Sequence, residues 1–221
     1  IALVVILLVL VPRVMLFSLF DIRSGSMKPT LRVGDKSVAA KYAYGIGPYT
    51  LPFGPHPFLS RSEENLPEYG DVVAFTTSTK GPAVYVKRVV GLPGDRIQMK
   101  DGILYINGEA VKQERVEDLI DKDDQGNEVR KLQYRETLPN GVSHKVISLT
   151  DHGTLDNTRV YQVPDGELFL LGDNRDNSLD SRIPSQFGRV TLQNLVGRFD
   201  YIYFDGVTKE WTWREVNGTR D

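Results

Sequence analysis

Two serines and one lysine carry the sequence's clearest capacity for nucleophilic chemistry. The serines lie in Arg23-Ser24-Gly25-Ser26-Met27-Lys28-Pro29-Thr30-Leu31. Gly25 lets the chain turn sharply and bring backbone N–H groups near a ligand, and Pro29 biases Lys28 away from helical geometry. A serine on such a bend, with N–H donors beside it, has the layout of a nucleophile next to an oxyanion site. Composition alone also reads Ser-Gly-Ser as an ordinary loop, so the decision rests on what can take the serine proton.

Histidine is the usual base for a serine nucleophile. His56 stands in a proline-rich stretch, and His144 and His152 in a charged segment. No motif frames any of them, and their scatter gives no metal-ligand spacing. Lysine is the alternative. Lys87 sits in Ala83-Val84-Tyr85-Val86-Lys87-Arg88-Val89-Val90, an apolar, β-branched run. Burial there would lower its pKa from the reference of about 10.4 and leave the amine neutral part of the time. The same pattern also fits an edge-strand lysine, or a packed stem whose head reaches water. Arg88 points to the other face, as a surface or loop-binding group. Lys28 is closer to Ser26 in sequence but lacks an apolar setting, so it is expected to stay protonated.

A third element is Gly172-Asp173-Asn174-Arg175-Asp176-Asn177-Ser178-Leu179-Asp180-Ser181-Arg182. Its side chains bond backbone and fix turns, and two Asp–Arg combinations allow a charge-assisted cluster. A solvated acidic loop is the plain alternative. A calcium loop of EF-hand type does not fit, because its closing glutamate is missing. The sharper reading is a network that holds a catalytic lysine.

The elements that must position these groups are strands. Asp71–Phe75, Ala83–Val90, Arg96–Lys100 and Ile103–Ile106 are short apolar runs, separated by Gly81-Pro82, Asp101-Gly102 and Asn107-Gly108, the last a hairpin dipeptide, and the core pattern resumes at Val163–Leu171. Prolines exclude helix between 48 and 67; the aromatics there are read as packing on the core or touching lipid. Residues 112–145 are strongly charged, with 121–128 read as a solvated loop, and strands are expected at Arg130–Glu136 and His144–Leu149. A helical turn is expected within Ser185–Leu195. The fold class is mostly β. An antiparallel β-sheet catalytic core spans 21–108 and 164–221, with an inserted β subdomain at 109–163.

Residues 1–20 hold 17 apolar side chains, all but Pro12, Arg13 and Ser18. They are read as the closing part of a transmembrane helix, with Arg13 reaching to the interface. A buried core helix and a cleaved signal peptide fit less well, for want of polar alternation and of an Ala-x-Ala site. Ser26 would then stand close to the membrane surface. A net charge of −2 gives no nucleic-acid footprint, and the absence of cysteine excludes disulfides and thiolate metal sites.

Four blocks in order, Ser24–Leu31, Gly70–Val73, Tyr85–Asp95 and Gly172–Arg182, resemble bacterial type I signal peptidases. The resemblance covers most of the core and only loosely the insert. It implies a serine endopeptidase working by a Ser–Lys dyad, without metal or cofactor: Ser26 as nucleophile, Lys87 as general base, and Ser24 with the Ser26 N–H as oxyanion donors. Ser178 would hydrogen-bond and orient Lys87, and Asp180 and Arg182 would support the site, with Asp173 and Arg175 as weaker candidates. The implied substrates are the signal peptides of secretory preproteins, bound extended beside Ile22–Ser24 and Tyr85–Lys87. Ile22, Met27, Leu31, Tyr85 and Val86 would accept small side chains at positions −1 and −3. Other implied partners are the lipid bilayer and the protein-translocation machinery. The implied location is the bacterial inner (cytoplasmic) membrane, with the catalytic domain on its outer side. Arg23 departs from the proline many members carry before the serines, which puts specificity beside the binding strand in doubt. Two rivals stay open. A repressor-type Ser–Lys autoprotease would need a DNA-binding domain where this chain has its apolar segment, and a non-enzymatic membrane-tethered binding domain would leave Ser26 unreactive.

Overall fold

The computed structural model describes residues 13–52, 54–62, 65–77, 83–122, 126–150 and 152–220. Along the chain, β1 (Phe17–Asp21) and β2 (Lys36–Ala40) precede β3 (Val72–Thr76) and β4 (Val84–Gly91). Then come β5 (Arg96–Lys100), β6 (Ile103–Ile106), β7 (Glu109–Ala110), β8 (Lys112–Arg115), β9 (Leu119–Lys122), β10 (Glu128–Thr137) and β11 (Val142–Ser148). The chain returns through β12 (Tyr161–Gln162), β13 (Glu167–Leu171), β14 (Val190–Thr191), β15 (Leu195–Phe204), β16 (Trp211–Glu215) and β17 (Thr219–Arg220). Helix is confined to residues 13–16, a turn at Pro184–Phe187 and three short 3-10 segments among the described residues.

The largest sheet has the order β1-β2-β15-β3-β4-β13-β14, with β16 added to β15. All its pairs are antiparallel. Its strands follow from their sequences: Val72–Thr76 is buried at every position, as expected of a central strand covered on both faces. Strand β4 instead runs from an exposed Val84 to fully buried residues from Lys87 on. It therefore carries its two basic residues from the sheet margin into the interior. One apolar cluster joins Ile22, Met27 and Leu31 to Ala39, Val72, Ala74, Phe199 and Ile202. It fastens the β1–β2 connection onto the sheet.

A second sheet, β12-β5-β6-β7, is built on turns legible in the sequence. Asn107 and Gly108 have φ of 56° and 90°, the two-residue geometry that suits the twist of a hairpin. The third sheet, β17-β11-β10-β8 with β9 on β10, contains the expected pair of strands around Asn140-Gly141.

Several expectations are corrected. Residues 17–21 form a strand paired to β2, not the end of an anchor helix, because Phe17–Asp21 finds hydrogen-bonding partners in Lys36–Ala40. Residues 1–12 of that expected helix, Phe53, the Gly81-Pro82 turn and Asp123–Gln125 lie outside the described residues. Among the described residues no helix is long and apolar enough to cross a membrane. The insert boundaries at 109 and 163 cut a sheet, since β7 pairs β6 and β12 pairs β5. The C-terminal β17 joins the insert's own sheet through β11. Asp121 belongs to β9 and bonds two lysines rather than standing in a solvated loop. In the aromatic loop, Tyr49 packs against the core while Phe58 is 97% exposed. Arg61 ties that loop down through the carbonyls of Tyr44, Gly45, Leu192 and Leu195.

Candidate active site

Three segments converge. The β1–β2 connection carries Ser24–Ser26 and is closed at its base by Ile22 N–H to Asp35 C=O (2.9 Å) and Gly34 N–H to Ile22 C=O (2.8 Å). Strand β4 carries Lys87. Strand β13 pairs with β4 so that Leu171 faces Arg88, which delivers the loop beginning at Gly172 directly beside them.

Ser26 Oγ and Lys87 Nζ lie 2.7 Å apart, and the amine also donates to the Val86 carbonyl at 3.1 Å. Lys87 is 4% exposed. Burial lowers its pKa to about 8, against upward pulls from the charges of Asp180 and Asp173 and with a further downward push from Arg182. Desolvation disfavours the ammonium, so near neutral pH a fraction of the amine has a lone pair for the serine proton. Of the histidines, His56 Nε2 contacts the Pro52 carbonyl and His152 is exposed. His144 is buried in β11, 3.6 Å from Glu136 and 4.0 Å from Asp173. Burial first, and then the charge of Arg88, hold it well below the usual histidine range.

The loop at 172–182 is a buried polar network. Asp180 takes Arg182 Nε at 2.8 Å and Nη2 at 2.9 Å, and also accepts the Gly172 N–H at 3.1 Å. Asp173 takes Arg88 Nε and Nη2 at 2.8 and 2.7 Å and the Thr30 hydroxyl at 2.5 Å. Both fork-to-carboxylate pairs are nearly sealed from solvent, so each charge depends on its partner. Removing one member of such a pair costs about 3–5 kcal/mol. Arg88 does take the face opposite Lys87, but it binds the loop from the interior, with 1% exposure, and is not a surface group. Gly172 has no room for a side chain: a Cβ there would meet Ser178 Oγ at 2.2 Å and the Ser26 carbonyl at 2.7 Å.

The other expected residues divide. Ser24 is beside Ser26, and the Ser26 N–H donates to Ser24 Oγ at 3.3 Å. Asp180, Arg182, Asp173 and Arg175 are all in the network, Arg175 through Glu136. Ser178 is buried next to Gly172, but its hydroxyl has no hydrogen-bond partner among the described residues, so the expected bond to Lys87 is not made. Ile22, Met27 and Leu31 are core side chains at 7%, 2% and 0% exposure, and only Tyr85 and Val86 keep half-buried surface. Leu31 is displaced from a pocket wall to the packing behind it, because it sits under the turn closed by its own N–H to the Met27 carbonyl.

Asn174 is a functional candidate that the sequence reading passed over as one polar loop residue among several. Its backbone N–H donates to the Ser26 carbonyl at 3.0 Å and its side-chain Nδ2 to the Gly25 carbonyl at 3.0 Å. It clamps the serine turn from across the chain. Thr30 and Glu136 were also missed, and each acts through a partner far away in sequence; Arg88 does bind the loop, as one of its two expected roles.

A serine hydroxyl against a dry amine, on a curled antiparallel sheet, is the arrangement of a serine hydrolase. Comparison with known proteins narrows the class. The model of the family "Signal peptidase, peptidase S26" matches residues 1–204. Signal peptidase I of Rickettsia bellii (strain OSU 85-389) is 36% identical over 215 residues, covering 94% of this chain and 72% of that protein. Signal peptidase I of Rickettsia typhi is also 36% identical, covering 94% of this chain and 79% of its own length. A crystal structure of a signal peptidase I from Enterococcus faecalis V583 is 27% identical, covers 60% of this chain and 96% of that one, and has a TM-score of 0.35. The chain belongs to the peptidase S26 family and is a serine endopeptidase of the type I signal peptidase class.

Proposed function

We propose that this chain removes signal peptides from secretory preproteins with Ser26 as nucleophile and Lys87 as general base. The observation that carries the reading is the 2.7 Å approach of Ser26 Oγ to the buried Lys87 amine. Neutral Lys87 takes the Ser26 proton as Oγ attacks the carbonyl carbon. The protonated amine then passes that proton to the leaving amine of the mature protein, and afterwards takes one from the water that cleaves the acyl-enzyme. The Ser26 N–H and the Ser24 hydroxyl, which meet across 3.3 Å, supply the two oxyanion donors once Ser24 turns its O–H outward. Ser178 Oγ, buried without a partner, takes the Lys87 amine when Ser26 is acylated. Asp180 and Arg182 oppose each other at Lys87, one raising and one lowering its pKa, so desolvation keeps control.

Substrate would add as a strand. Residues 84–87 of β4 pair with β3 on one side, while on the other β13 begins only at Arg88. A peptide laid along that margin gains backbone hydrogen bonds, with alternate side chains facing the protein. Tyr85 and Val86 would flank positions −1 and −3, over a floor of Ile22 and Met27. A shallow floor admits only small side chains. The apolar N-terminal run would anchor the protein in the bacterial inner membrane with this domain on the outer side. The bilayer and the translocation machinery would then be its neighbours.

The test is incubation of detergent-solubilised protein with a preprotein, reading the new N-terminus by mass spectrometry. Cleavage after a small residue, lost in Ser26→Ala and Lys87→Ala, is expected. Near wild-type cleavage by a well-folded Lys87→Ala variant would sink the assignment.

A further inference from the structure

Among the described residues, strands β10 and β11 bond neither Ser26 Oγ nor Lys87 Nζ. They grip instead the start of the polar loop, at successive residues. Ile147 of β11 donates its N–H to the Asp173 carbonyl at 2.9 Å and forms a parallel bridge with Asn174. Glu136 of β10 takes the Arg175 guanidinium as a fork, at 2.9 and 2.5 Å. The N–H groups of Leu149 and Thr150, just past β11, go to Asp176 Oδ2 at 2.7 and 3.3 Å. Glu136 also pairs across the sheet with His144, which stands 4.0 Å from Asp173. Side chains alternate along a strand, so this is the face of the sheet that is laid on the loop.

The loop passes this hold on to the nucleophile. Asn174, next to Arg175, is the residue whose N–H and Nδ2 bond the Ser26 and Gly25 carbonyls. Lys87 is placed by other means, in β4 between the core strands β3 and β13. The two halves of the dyad are thus fixed by different parts of the molecule. The core sheet holds the base, and β10 and β11 help to hold the nucleophile. The side chains of Glu136 and Arg175 are 1% and 4% exposed, and a buried two-point fork keeps its ends in one geometry. We infer that Glu136 is a positioning residue for the reaction, setting the approach of Ser26 Oγ to Lys87 through Arg175 and Asn174. This rests on Ser26 and Lys87 as the reacting pair, and it gives the segment between the two stretches of core a part in the chemistry without a group at the reacting atoms.

The test is a double-mutant cycle on preprotein cleavage with Glu136→Gln and Asn174→Ala, each variant checked for native circular dichroism at the assay temperature. Glu136→Gln keeps the shape of the side chain and removes its charge. It is expected to lower kcat at least about tenfold, since misplacing a reacting group by about 1 Å can cost about 100-fold. KM should stay within about twofold, because the β4 margin is untouched. The midpoint of the pH–rate profile should not move, because the charges that act on Lys87 are Asp180, Asp173 and Arg182. If Glu136 works through Asn174, the double variant should keep at least about threefold more kcat than the product of the two single losses predicts. An unchanged kcat in folded Glu136→Gln, a loss confined to KM, or multiplicative losses in the double variant overturns the role. Should Glu136→Gln fail to fold, Asp176→Asn loosens the same stretch of loop from a half-buried position, and its loss of kcat must show the same coupling to Asn174→Ala. Failure of the wild-type protein to cleave the preprotein would instead count against the proposed function itself.

Discussion

Two lysines flank the serine turn, and their surroundings make them different reagents. Lys28, two residues after Ser26, places its ammonium 2.8 and 2.9 Å from the two oxygens of Asp121, which also takes Lys131 at 2.7 Å. Lys87 reaches Ser26 from 61 positions away and meets a hydroxyl and a carbonyl, with no carboxylate bonded to it. The two aspartates that act on it are already held by Arg88 and Arg182. Proximity to the nucleophile in sequence is therefore irrelevant. On the proposed mechanism, what makes the base is desolvation without a counter-ion, and the arginines achieve this by occupying the nearby carboxylates.

The bluntest way to break this comparison is Lys87→Ala. Loss of a general base typically costs about 100- to 10,000-fold, and kcat should fall by that much while circular dichroism stays native. Next in size is Arg182→Met, which frees Asp180 beside Lys87. Breaking a pair this deeply buried is expected to cost about 3–5 kcal/mol of stability by urea unfolding. Because Arg182 lowers the Lys87 pKa and Asp180 raises it, the midpoint of the pH–rate profile should also move upward. If the midpoint falls or stays put, the arginine is not what keeps the carboxylate from the lysine.

Much of this was legible in the sequence. A basic residue in a β-branched run, a Ser-Gly-Ser bend and a polar loop are local patterns, and the structure brings all three together. The hairpin dipeptides were legible because φ > 0 at both turn residues favours particular side chains. What could not be read is who pairs with whom at long range. Arg88 finds Asp173 85 positions on, Lys28 finds Asp121 93 positions on, and Asn174 reaches back 149 positions to Gly25. Nothing in the local pattern of Asp121 separates it from the acidic residues that follow. The resemblance implied a pocket role for Leu31, and apolar lining and apolar core share one composition, so only its complete burial distinguishes them. The end of the N-terminal helix was misread for a related reason. Phe17, Leu19 and Phe20 continue the apolar composition of the run before them, and only pairing with β2 makes Phe17–Asp21 a strand.

The pH dependence sharpens the same contrast at a smaller scale. With Lys87 near 8, kcat/KM should rise about tenfold per pH unit below that value and level off above it. The linkage has the matching sign. A lysine whose folded pKa is lowered binds fewer protons folded than unfolded between about pH 8 and 10.5, so stability rises with pH across that window. Lys87→Met, which keeps the stem and removes the charge, should then be the more stable protein at pH 7. Its advantage should shrink as pH approaches 10.5, as read by urea unfolding at several pH values.

The smallest effect is expected at Lys28, and it is the one that separates the two lysines. Lys28→Met leaves Asp121 with Lys131, so no carboxylate is orphaned. The ion pair is near the surface, with side chains 20% and 16% exposed, and pairs of that kind contribute about 0–1 kcal/mol. Stability should therefore change by no more than about 1 kcal/mol. Since the proposed mechanism gives the Ser26 proton to Lys87 and not to Lys28, kcat/KM should change by less than about fivefold, an amount equivalent to about 1 kcal/mol. The midpoint near pH 8 should not move. Asp121 gives an independent check. Burial pushes its pKa up, but the bonds from Lys131 and Lys28 outweigh it and bring the value down to about 2. A depressed carboxylate contributes stability above its unfolded pKa and loses it as pH falls through the folded one. Between about pH 4 and 2 the wild-type protein should thus lose stability that Asp121→Asn never had, while at pH 8 both cleave at similar rates. Were Lys28→Met to reduce kcat as far as Lys87→Ala does, an ion-paired ammonium would be as necessary as a dry amine, and desolvation could not be what chooses the base.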